Sequence, residues 1–286
     1  MKKYLSLVLF GHTIFAMPFA LIGFFLAITT TNQPFNWMKL VFMLLCMVFA
    51  RNSAMAFNRY LDRDIDGKNP RTKVRDIPAG KIPAKNALIF TISNCVLFIF
   101  TTYFINPLCF YLSPIALLVV LGYSYTKRFT ALCHFILGIG LGLAPIGAYL
   151  VVTGEFALLP VLFSLAVLCW VSGFDIIYAL QDDEFDKQEN LHSIPAVLGR
   201  KKALTVSSLL HVLCIVFLAL PLSFTGLGGF YITGIVIFIG LLIYQHRLVK
   251  PDDLSKVNLA FGTTNGIASV VFVVFFLLDI YFHSPL

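Results

Sequence analysis

Charged residues are scarce in this chain: Asp, Glu, Lys and Arg make up 12% of its 286 residues, whereas 59% are hydrophobic. In a soluble globular domain roughly a quarter of the residues are charged, so this composition excludes such a domain and indicates a polytopic membrane protein. The six cysteines lie within or beside apolar runs without CxxC spacing, which argues against a disulfide framework or a zinc site. Walker, nucleophile-elbow and HExxH motifs are also missing.

Long apolar runs predict roughly nine transmembrane helices, because about 20 apolar residues span a bilayer. The first run follows Lys2 and Lys3 and imitates a signal peptide, but it is too long and lacks a clear cleavage site. We therefore expect it to be the first helix. The predicted spans are 4–28, 38–58, 86–104, 107–123, 131–152, 157–181, 203–221, 228–246 and 257–282.

Basic residues are concentrated on one side of these helices. The connections 29–37, 105–106, 153–156 and 222–227 contain no Lys or Arg. By the positive-inside rule, the N-terminus is cytoplasmic and an odd helix count places the C-terminus outside. The net charge of +7 then reflects topology and attraction to anionic headgroups, and it does not argue for nucleic-acid binding. The basic side comprises the N-terminus, the loop 59–85 and the segments 127–128, 187–202 and 247–256.

Three oxygen-bearing side chains spaced by four begin the most polar stretch: Asn58, Asp62 and Asp66, which we call the first acid set. On a helix they line one face. Carboxylates crowded in this way repel one another unless a cation lies among them, and oxygen ligands suit Mg²⁺ with substrate phosphate. Arg71 and Arg75 follow and can neutralise a phosphate. Taken alone, the stretch is also compatible with a merely solvated charged face.

A second polar cluster repeats this spacing. Asp182 and Asp186, which we call the second acid set, follow Tyr178 at intervals of four, and Asp175 lies seven residues before Asp182 on the same helical face. Asp175 falls inside an apolar run, where a carboxylate is costly and therefore a functional candidate. Both acid sets are expected at the same membrane level, which predicts a shared metal–phosphate site.

Three further residues extend the predicted site. Arg51 precedes Asn58 by seven residues and so lies about two turns deeper in the bilayer. A buried Arg needs an anionic partner, either Asp175 or a substrate carboxylate. Tyr123 and Lys127 are four apart at a cytoplasmic helix end. By themselves they are typical of an interfacial aromatic belt and a positive-inside lysine.

Small residues crowd the segment GIGLGLAPIGAYL. Small side chains allow membrane helices to approach closely, so we expect tight helix packing there. The glycines concerned are Gly138, Gly140, Gly142 and Gly147.

The two acid clusters together resemble the UbiA superfamily of intramembrane aromatic prenyltransferases, over essentially the whole chain. The resemblance rests on NRYLDRDID, RTKVR, YSYTK and YALQDDEFD. The longer strings HTIFAMPFALIG, NPRTKVRDIPAGKI and YALQDDEFDKQENLHSIPAVLG are most similar to the bacterial branch labelled 4-hydroxybenzoate polyprenyltransferase, which includes relatives in the futalosine route to menaquinone. The chain departs from many members at Arg59, where they have Asp, and at Asp76-Ile77.

The resemblance implies one all-α domain over residues 1–286, with nine helices in a ring around a central cavity open laterally to lipid. It implies transfer of a polyprenyl group from a polyprenyl diphosphate to the ring of an aromatic acid, for ubiquinone or menaquinone, at the cytoplasmic side of a bacterial inner membrane. Asp175 would orient the acceptor hydroxyl or accept a proton, and Arg51 would meet the acceptor carboxylate. Two Mg²⁺ ions would be held by Asn58, Asp62, Asp66, Asp182 and Asp186, and the diphosphate by Arg71, Arg75, Lys127, Tyr123 and Tyr178.

Other functions are compatible with parts of this pattern. The same family fold serves other acceptors, namely dihydroxynaphthoate, haem and chlorophyll precursors. A CDP-alcohol phosphotransferase also uses clustered aspartates, but its D-G-x-x-A-R opening is absent. A secondary transporter would place ionisable residues near the midplane on broken helices, whereas these acids lie at one face beside basic loops. The acceptor, the prenyl length and the oligomeric state are left open.

Overall fold

The computed structural model describes Leu7 and residues 17–283, and this part of the chain is helical without any β-strand. Two 3₁₀ turns, Leu180–Asp182 and Leu220–Ser223, and a π-helical turn, Leu259–Thr264, adjoin the α-helices. The α-helices of the described residues are α1 Met17–Thr31, α2 Trp37–Leu61, α3 Arg63–Lys68, α4 Ala84–Tyr103, α5 Pro107–Thr126, α6 Cys133–Thr153, α7 Leu158–Ala179, α8 Asp183–Gln188, α9 Ile194–Leu198, α10 Arg200–Ala219, α11 Gly229–Leu248 and α12 Asn265–His283.

Eight helical stretches of the described chain are long and apolar enough to cross a membrane. Their order agrees with eight of the nine predicted spans. The predicted first span, 4–28, is described only at Leu7 and from residue 17, where α1 contributes 15 residues. The rest of that span lies outside the described residues. The predicted loop 59–85 contains the short helix α3, which carries part of the first acid set.

Polar residues set several of the helix ends. Asn36 caps α2, because its side-chain oxygen accepts hydrogen bonds from the backbone N–H groups of Met38 and Lys39. Asn106 caps α5 in the same way, with Pro107 in the first turn, where its missing N–H has no helical partner to lose. Gly154 ends α6 with φ +70°, a left-handed conformation that glycine adopts without strain.

The hydrophobic core is centred on α7. Trp170 and Phe163 of this helix are completely buried, and Phe19 of α1 packs on Trp170 with ring centroids 5.3 Å apart. Helix α7 packs between α6 and α10, while α12 packs on both α11 and α1. Each long helix contacts the next one along the chain, and α12 contacts α1. The described helices therefore form a closed ring.

Two of the four predicted packing glycines lie where α6 and α7 approach most closely. A Cβ atom on Gly138 would lie 2.4 Å from Ser172 Oγ and 2.6 Å from the Leu168 carbonyl oxygen. A Cβ on Gly142 would lie 2.9 Å from a carbonyl oxygen of α7. The prediction is wrong for Gly147, where a Cβ would meet nothing within 4 Å, and for Gly140, where it would make only an ordinary contact at 3.7 Å.

The basic and acidic loops meet at one end of the bundle, which we call the polar end (residues 62–83, 127–132, 180–200 and 249–258). The Arg128 guanidinium donates to the Leu61 carbonyl at 3.2 Å, which joins the α5–α6 loop to the end of α2. The backbone N–H of His192 donates to the Lys127 carbonyl at 2.6 Å. Arg200 connects segment 180–200 to segment 249–258, because its guanidinium donates to the Pro251 carbonyl at 3.4 Å.

Candidate active site

The first acid set lies where α2 gives way to α3. Asp62 ends α2 and precedes α3 with φ −88° and ψ 4°, so the helix is locally deformed at this residue. The four-residue hydrogen-bond register continues nonetheless, from Asp62 N–H to the Asn58 carbonyl (2.9 Å) and from Asp66 N–H to the Asp62 carbonyl (2.7 Å). The three side chains therefore stay on one side, and Asn58 Nδ2 donates to Asp62 Oδ2 at 3.0 Å. Both carboxylates are only 3% exposed.

The second acid set lies at a similar deformation. Helix α7 runs into the 3₁₀ turn Leu180–Asp182, and α8 begins at Asp183. Asp182, the counterpart of Asp62 in the repeated pattern, has φ −114° and ψ 6°. Asp186 is buried on α8. Both acid sets thus begin at the end of a membrane-spanning helix, and each carries its second acid on a short helix at the polar end.

Arg71 joins the loop that follows the first acid set to the second acid set. Arg71 follows the first set in sequence, but its guanidinium forms a bidentate ion pair with Asp182. Its Nε atom lies 2.9 Å from Oδ1, and an NH2 group donates to Oδ2. It also donates to the Tyr178 hydroxyl at 3.0 Å. Asn69 adds a hydrogen bond to Asp182 at 2.9 Å. Burial by itself would lower the pKa of Arg71, but the hydrogen bonds that it donates to Asp182 outweigh burial and raise the pKa, so this residue stays positively charged.

Other cations hold the first acid set. Arg75 donates to Asp66 Oδ1 at 2.7 Å. Arg128 donates to Asp62 Oδ1 at 2.8 Å, and Lys127 Nζ lies 3.9 Å from Asp62 Oδ2. The pairs formed by Lys127 and Arg128 bring the α5–α6 loop onto the end of α2. The site is therefore built from three separate segments of sequence whose acids and bases interlock.

The carboxylates retain unused capacity for a cation. Asp66 Oδ2 is buried and accepts no hydrogen bond in the structure, although an ionised carboxylate oxygen without a partner is costly. Asp186 forms no ion pair with any described residue. Among the described residues no three Asp, Glu, His or Cys side chains converge closely enough to hold an ion by themselves. The donor set is hard oxygen, which fits Mg²⁺ bound by one or two carboxylates together with phosphate oxygens.

A deeper group of polar residues lies below the acid sets. Tyr123 of α5 is in the electrostatic field of Asp62, Arg59 and Asp175, and it acts in turn on Arg51 of α2. Asp175 and a substrate carboxylate are the two partners expected for Arg51. In the structure, Asp175 forms a 2.7 Å hydrogen bond with His134 Nδ1. Arg51 is half-buried, about two turns deeper than Asn58, as its position in the sequence predicts.

Sequence reasoning missed four residues of this site. Arg128 adjoins the predicted Lys127, but positive-inside lysines and arginines are so common in such loops that the sequence does not distinguish the one that pairs. Asn69 lies in the quoted string NPRTKVR, yet its role depends on a contact with a segment more than 100 residues away. His134 follows no motif. Arg59 was noted only as a departure from the family pattern, and it lies in the field of Asp66 and Tyr178.

Comparison with known proteins agrees with this architecture. The sequence model of the UbiA prenyltransferase family matches residues 16–278. A 4-hydroxybenzoate octaprenyltransferase from Aliivibrio fischeri (strain MJ11) is 28% identical over 238 residues, which is 83% of each chain. A protein of the same name from Aromatoleum aromaticum is 29% identical and covers 79% of this chain and 76% of its own.

Solved structures share the fold. The apo structure of a UbiA homologue from Aeropyrum pernix K1 superposes with a TM-score of 0.84 at 30% identity, covering 94% of this chain and 98% of that one. A UbiA homologue from Archaeoglobus fulgidus bound to GPP and Mg²⁺ has a TM-score of 0.76 at 23% identity and covers 98% and 99%. That second likeness concerns the fold alone. With a family match over most of its length, the chain belongs to the UbiA prenyltransferase family, and it is an integral membrane enzyme that transfers prenyl groups.

Proposed function

We propose that this protein transfers a polyprenyl group from a polyprenyl diphosphate to the ring of an aromatic acid, 4-hydroxybenzoate or a similar acid, in quinone biosynthesis. The pathway would lead to ubiquinone or menaquinone. The whole chain would act as one domain in a bacterial inner membrane, with its polar end in the cytoplasm. The observation that carries the proposal is the contact between the two halves of the site, in which Arg71, from the loop that follows the first acid set, binds Asp182 of the second. The names of the Aliivibrio and Aromatoleum relatives support the acceptor class.

The polar end is suited to a diphosphate because its cations are already gathered there. Arg71, Arg75 and Arg128 each neutralise a carboxylate in the structure, at hydrogen-bond distances of 2.9 Å or less. A diphosphate offers the same guanidinium groups a more highly charged acceptor, and arginine matches its oxygens with two parallel N–H donors. Lys127 adds a point charge beside Asp62, and the Tyr123 and Tyr178 hydroxyls would hydrogen-bond the same anion.

The carboxylates that those cations release would then hold Mg²⁺. Asn58, Asp62 and Asp66 form one oxygen set and Asp182 and Asp186 the other, so we propose two ions, one for each set. The unsatisfied Oδ2 atom of Asp66 supports this assignment, since a buried carboxylate oxygen without a donor needs a cation. When bound, Mg²⁺ neutralises the negative charge that develops on the departing diphosphate. The Archaeoglobus relative, bound to GPP and Mg²⁺, is consistent with this pairing of ligands.

The acceptor would bind deeper, between the diphosphate and the core. Arg51 would meet its carboxylate, and Tyr123 interacts electrostatically with Arg51 as well as with Asp62 and Asp175. In the reaction the allylic C–O bond breaks and its electron pair leaves with the diphosphate. The ring carbon next to the acceptor hydroxyl then attacks the allylic carbon. The Tyr178 ring packs on Phe261 with centroids 4.2 Å apart and lies 5.2 Å from the Arg71 guanidinium. Such an aromatic surface suits a developing carbocation.

The test is a product assay in membrane vesicles. Vesicles containing the protein would receive Mg²⁺ and a polyprenyl diphosphate, with 4-hydroxybenzoate and dihydroxynaphthoate offered in parallel, and the product mass would be measured. We expect prenylated 4-hydroxybenzoate, formed only with Mg²⁺ present. If only dihydroxynaphthoate gave a product, the acceptor would be reassigned and the reaction class would stand. Absence of any product from folded protein would contradict the proposal.

A further inference from the structure

A buried histidine and a partly exposed aspartate form a pair just below the acid sets. His134 of α6 is 3% exposed, and its Nδ1 atom lies 2.7 Å from Oδ2 of Asp175 on α7. The Asp175 side chain is 22% exposed, so its carboxylate is partly accessible while the imidazole is buried. The ion-pair network of the polar end does not include either residue.

The hydrogen bonds of His134 identify its tautomer. The backbone N–H of Ile194 donates to His134 Nε2 at 3.2 Å, so Nε2 acts as an acceptor and carries no proton. Nδ1 then carries the proton and donates it to Asp175. The backbone is held as well, because Ser172 Oγ donates to the His134 carbonyl at 3.1 Å. An imidazole held at both nitrogens gives the Asp175 carboxylate one orientation.

Asp175 is located where an acceptor ring would react. It lies seven residues before Asp182 on the same helical face, and therefore about 10 Å deeper than the diphosphate site. Its charge acts on Tyr123, which also interacts with Arg51, the proposed carboxylate-binding residue. Asp175 and Arg51 are thus both coupled electrostatically to Tyr123, below the acid sets.

We propose that Asp175 accepts the ring proton of the acceptor and that His134 is a positioning residue that orients Asp175 for this step. The inference rests on the proposed function. After the ring carbon has bonded to the allylic carbon, that ring carbon still carries its hydrogen. Its C–H bond breaks, the electron pair returns to the ring to restore aromaticity, and the proton passes to an Asp175 carboxylate oxygen. The proton then leaves to solvent between turnovers.

The proposal predicts a specific isotope effect. Loss of the ring proton is fast when a base is in place, so ring deuteration should not change kcat of the unmodified enzyme. Asp175→Asn keeps the shape and removes the base, and we expect kcat to fall by about 100-fold or more, as for loss of a general base. The remaining reaction should slow further with 4-hydroxybenzoate deuterated at both carbons beside the hydroxyl. A purely structural role of the pair would lower activity without creating this dependence.

Substitutions at His134 test the positioning role. His134→Leu removes the donor to Asp175, and we expect about a 10- to 100-fold loss in kcat, an unchanged KM for the prenyl diphosphate and the same isotope effect. His134→Asn places an amide N–H near the position of Nδ1 and should recover part of kcat. His246→Leu is a matched control, since it removes a buried histidine hydrogen bond of 2.8 Å to His211 elsewhere in the bundle. It should show no isotope effect. Melting temperatures in detergent would identify any variant that does not fold.

The outcomes separate the two proposals. Absence of prenylated 4-hydroxybenzoate from the unmodified enzyme would overturn the acceptor assignment and the base role together. Normal product with an Asp175→Asn enzyme that shows no isotope effect would overturn the base role alone, and would indicate the departing diphosphate as the base. An isotope effect in Asp175→Asn without any kcat loss in His134→Leu would overturn the positioning role of His134.

Discussion

The two acid sets share a sequence pattern and a helix deformation, but they are neutralised in different ways. The first set receives cations from two segments, Arg75 from its own loop and Arg128 from the α5–α6 loop. In the second set, Asp182 is held by Arg71 and by Asn69, both of which belong to the loop that follows the first set. The charge of the second set is therefore balanced by residues of the loop that follows the first set. The loop 62–83 is the element common to both halves of the site.

A second difference lies within each set. The acids at the helix ends, Asp62 and Asp182, have both carboxylate oxygens engaged by nitrogen donors. The acids four residues later, Asp66 and Asp186, are also buried, and Asp66 has one carboxylate oxygen without a hydrogen-bond donor. This indicates that Asp66 has room for a metal ion before any rearrangement, whereas Asp62 and Asp182 must first exchange their cations.

The largest expected effect comes from removing one acid of either set. Asp62→Ala or Asp182→Ala should lower prenyl transfer by about a thousandfold or more, because charge stabilisation at the leaving group would be lost. Steady-state rates in vesicles would measure this. Asp64→Ala is a matched control, since this acid lies between Asp62 and Asp66 but its side chain is 81% exposed. Equal losses in Asp64→Ala and Asp62→Ala would contradict the assignment.

Removing the arginines should distinguish the two sets. Arg71→Ala leaves Asp182 without an ion-pair partner, whereas Arg128→Ala leaves Asp62 with Lys127 at 3.9 Å. We expect KM for the prenyl diphosphate to rise by about 10- to 100-fold in Arg71→Ala, the range of a charge-assisted hydrogen bond, and by less in Arg128→Ala. Arg63→Ala is the control, because Arg63 is partly exposed and pairs with the exposed Asp64. It should leave KM for the prenyl diphosphate unchanged. The reverse order of effects would show that the first set governs diphosphate binding.

Arg51→Ala should act on the acceptor and not on the diphosphate. Because Arg51 lies below both acid sets, we expect KM for 4-hydroxybenzoate to rise by roughly 10-fold, with KM for the prenyl diphosphate nearly unchanged. Initial rates with each substrate varied in turn would measure the two constants. An unchanged KM for 4-hydroxybenzoate would mean that its carboxylate is bound elsewhere.

The smallest effect concerns the scaffold of the second set. Gly138→Ala introduces a Cβ that would overlap Ser172 and the Leu168 carbonyl, so α6 and α7 must separate slightly. Overpacking of this kind costs about 1–3 kcal/mol, which should lower the melting temperature in detergent. Gly147→Ala on the same helix has open space and is the matched control. Equal melting temperatures for the two variants would show that the close approach at Gly138 does not constrain the helices.

Several parts of this protein were accessible from local sequence patterns. Apolar runs of membrane length predicted the order of the long helices because bilayer insertion depends mainly on composition within about 20 residues. The four-residue spacing of the acids placed Asn58, Asp62 and Asp66 on one side because the helical register continues through the deformation at Asp62. The breaks at Asp62 and Asp182 were not predicted, since an unbroken helix satisfies the same spacing.

The sequence alone therefore determined the membrane class, eight of the spans and the chemical character of the two acid sets, because length, polarity and helical spacing are properties of neighbouring residues. Only the tertiary structure decided which cation meets which acid. Arg71 reaches Asp182 and Arg128 reaches Asp62 across more than 60 residues of sequence, and His134 reaches Asp175 across 41. Such partners are chosen by which loops and helices pack together at the polar end, and no local pattern encodes that choice.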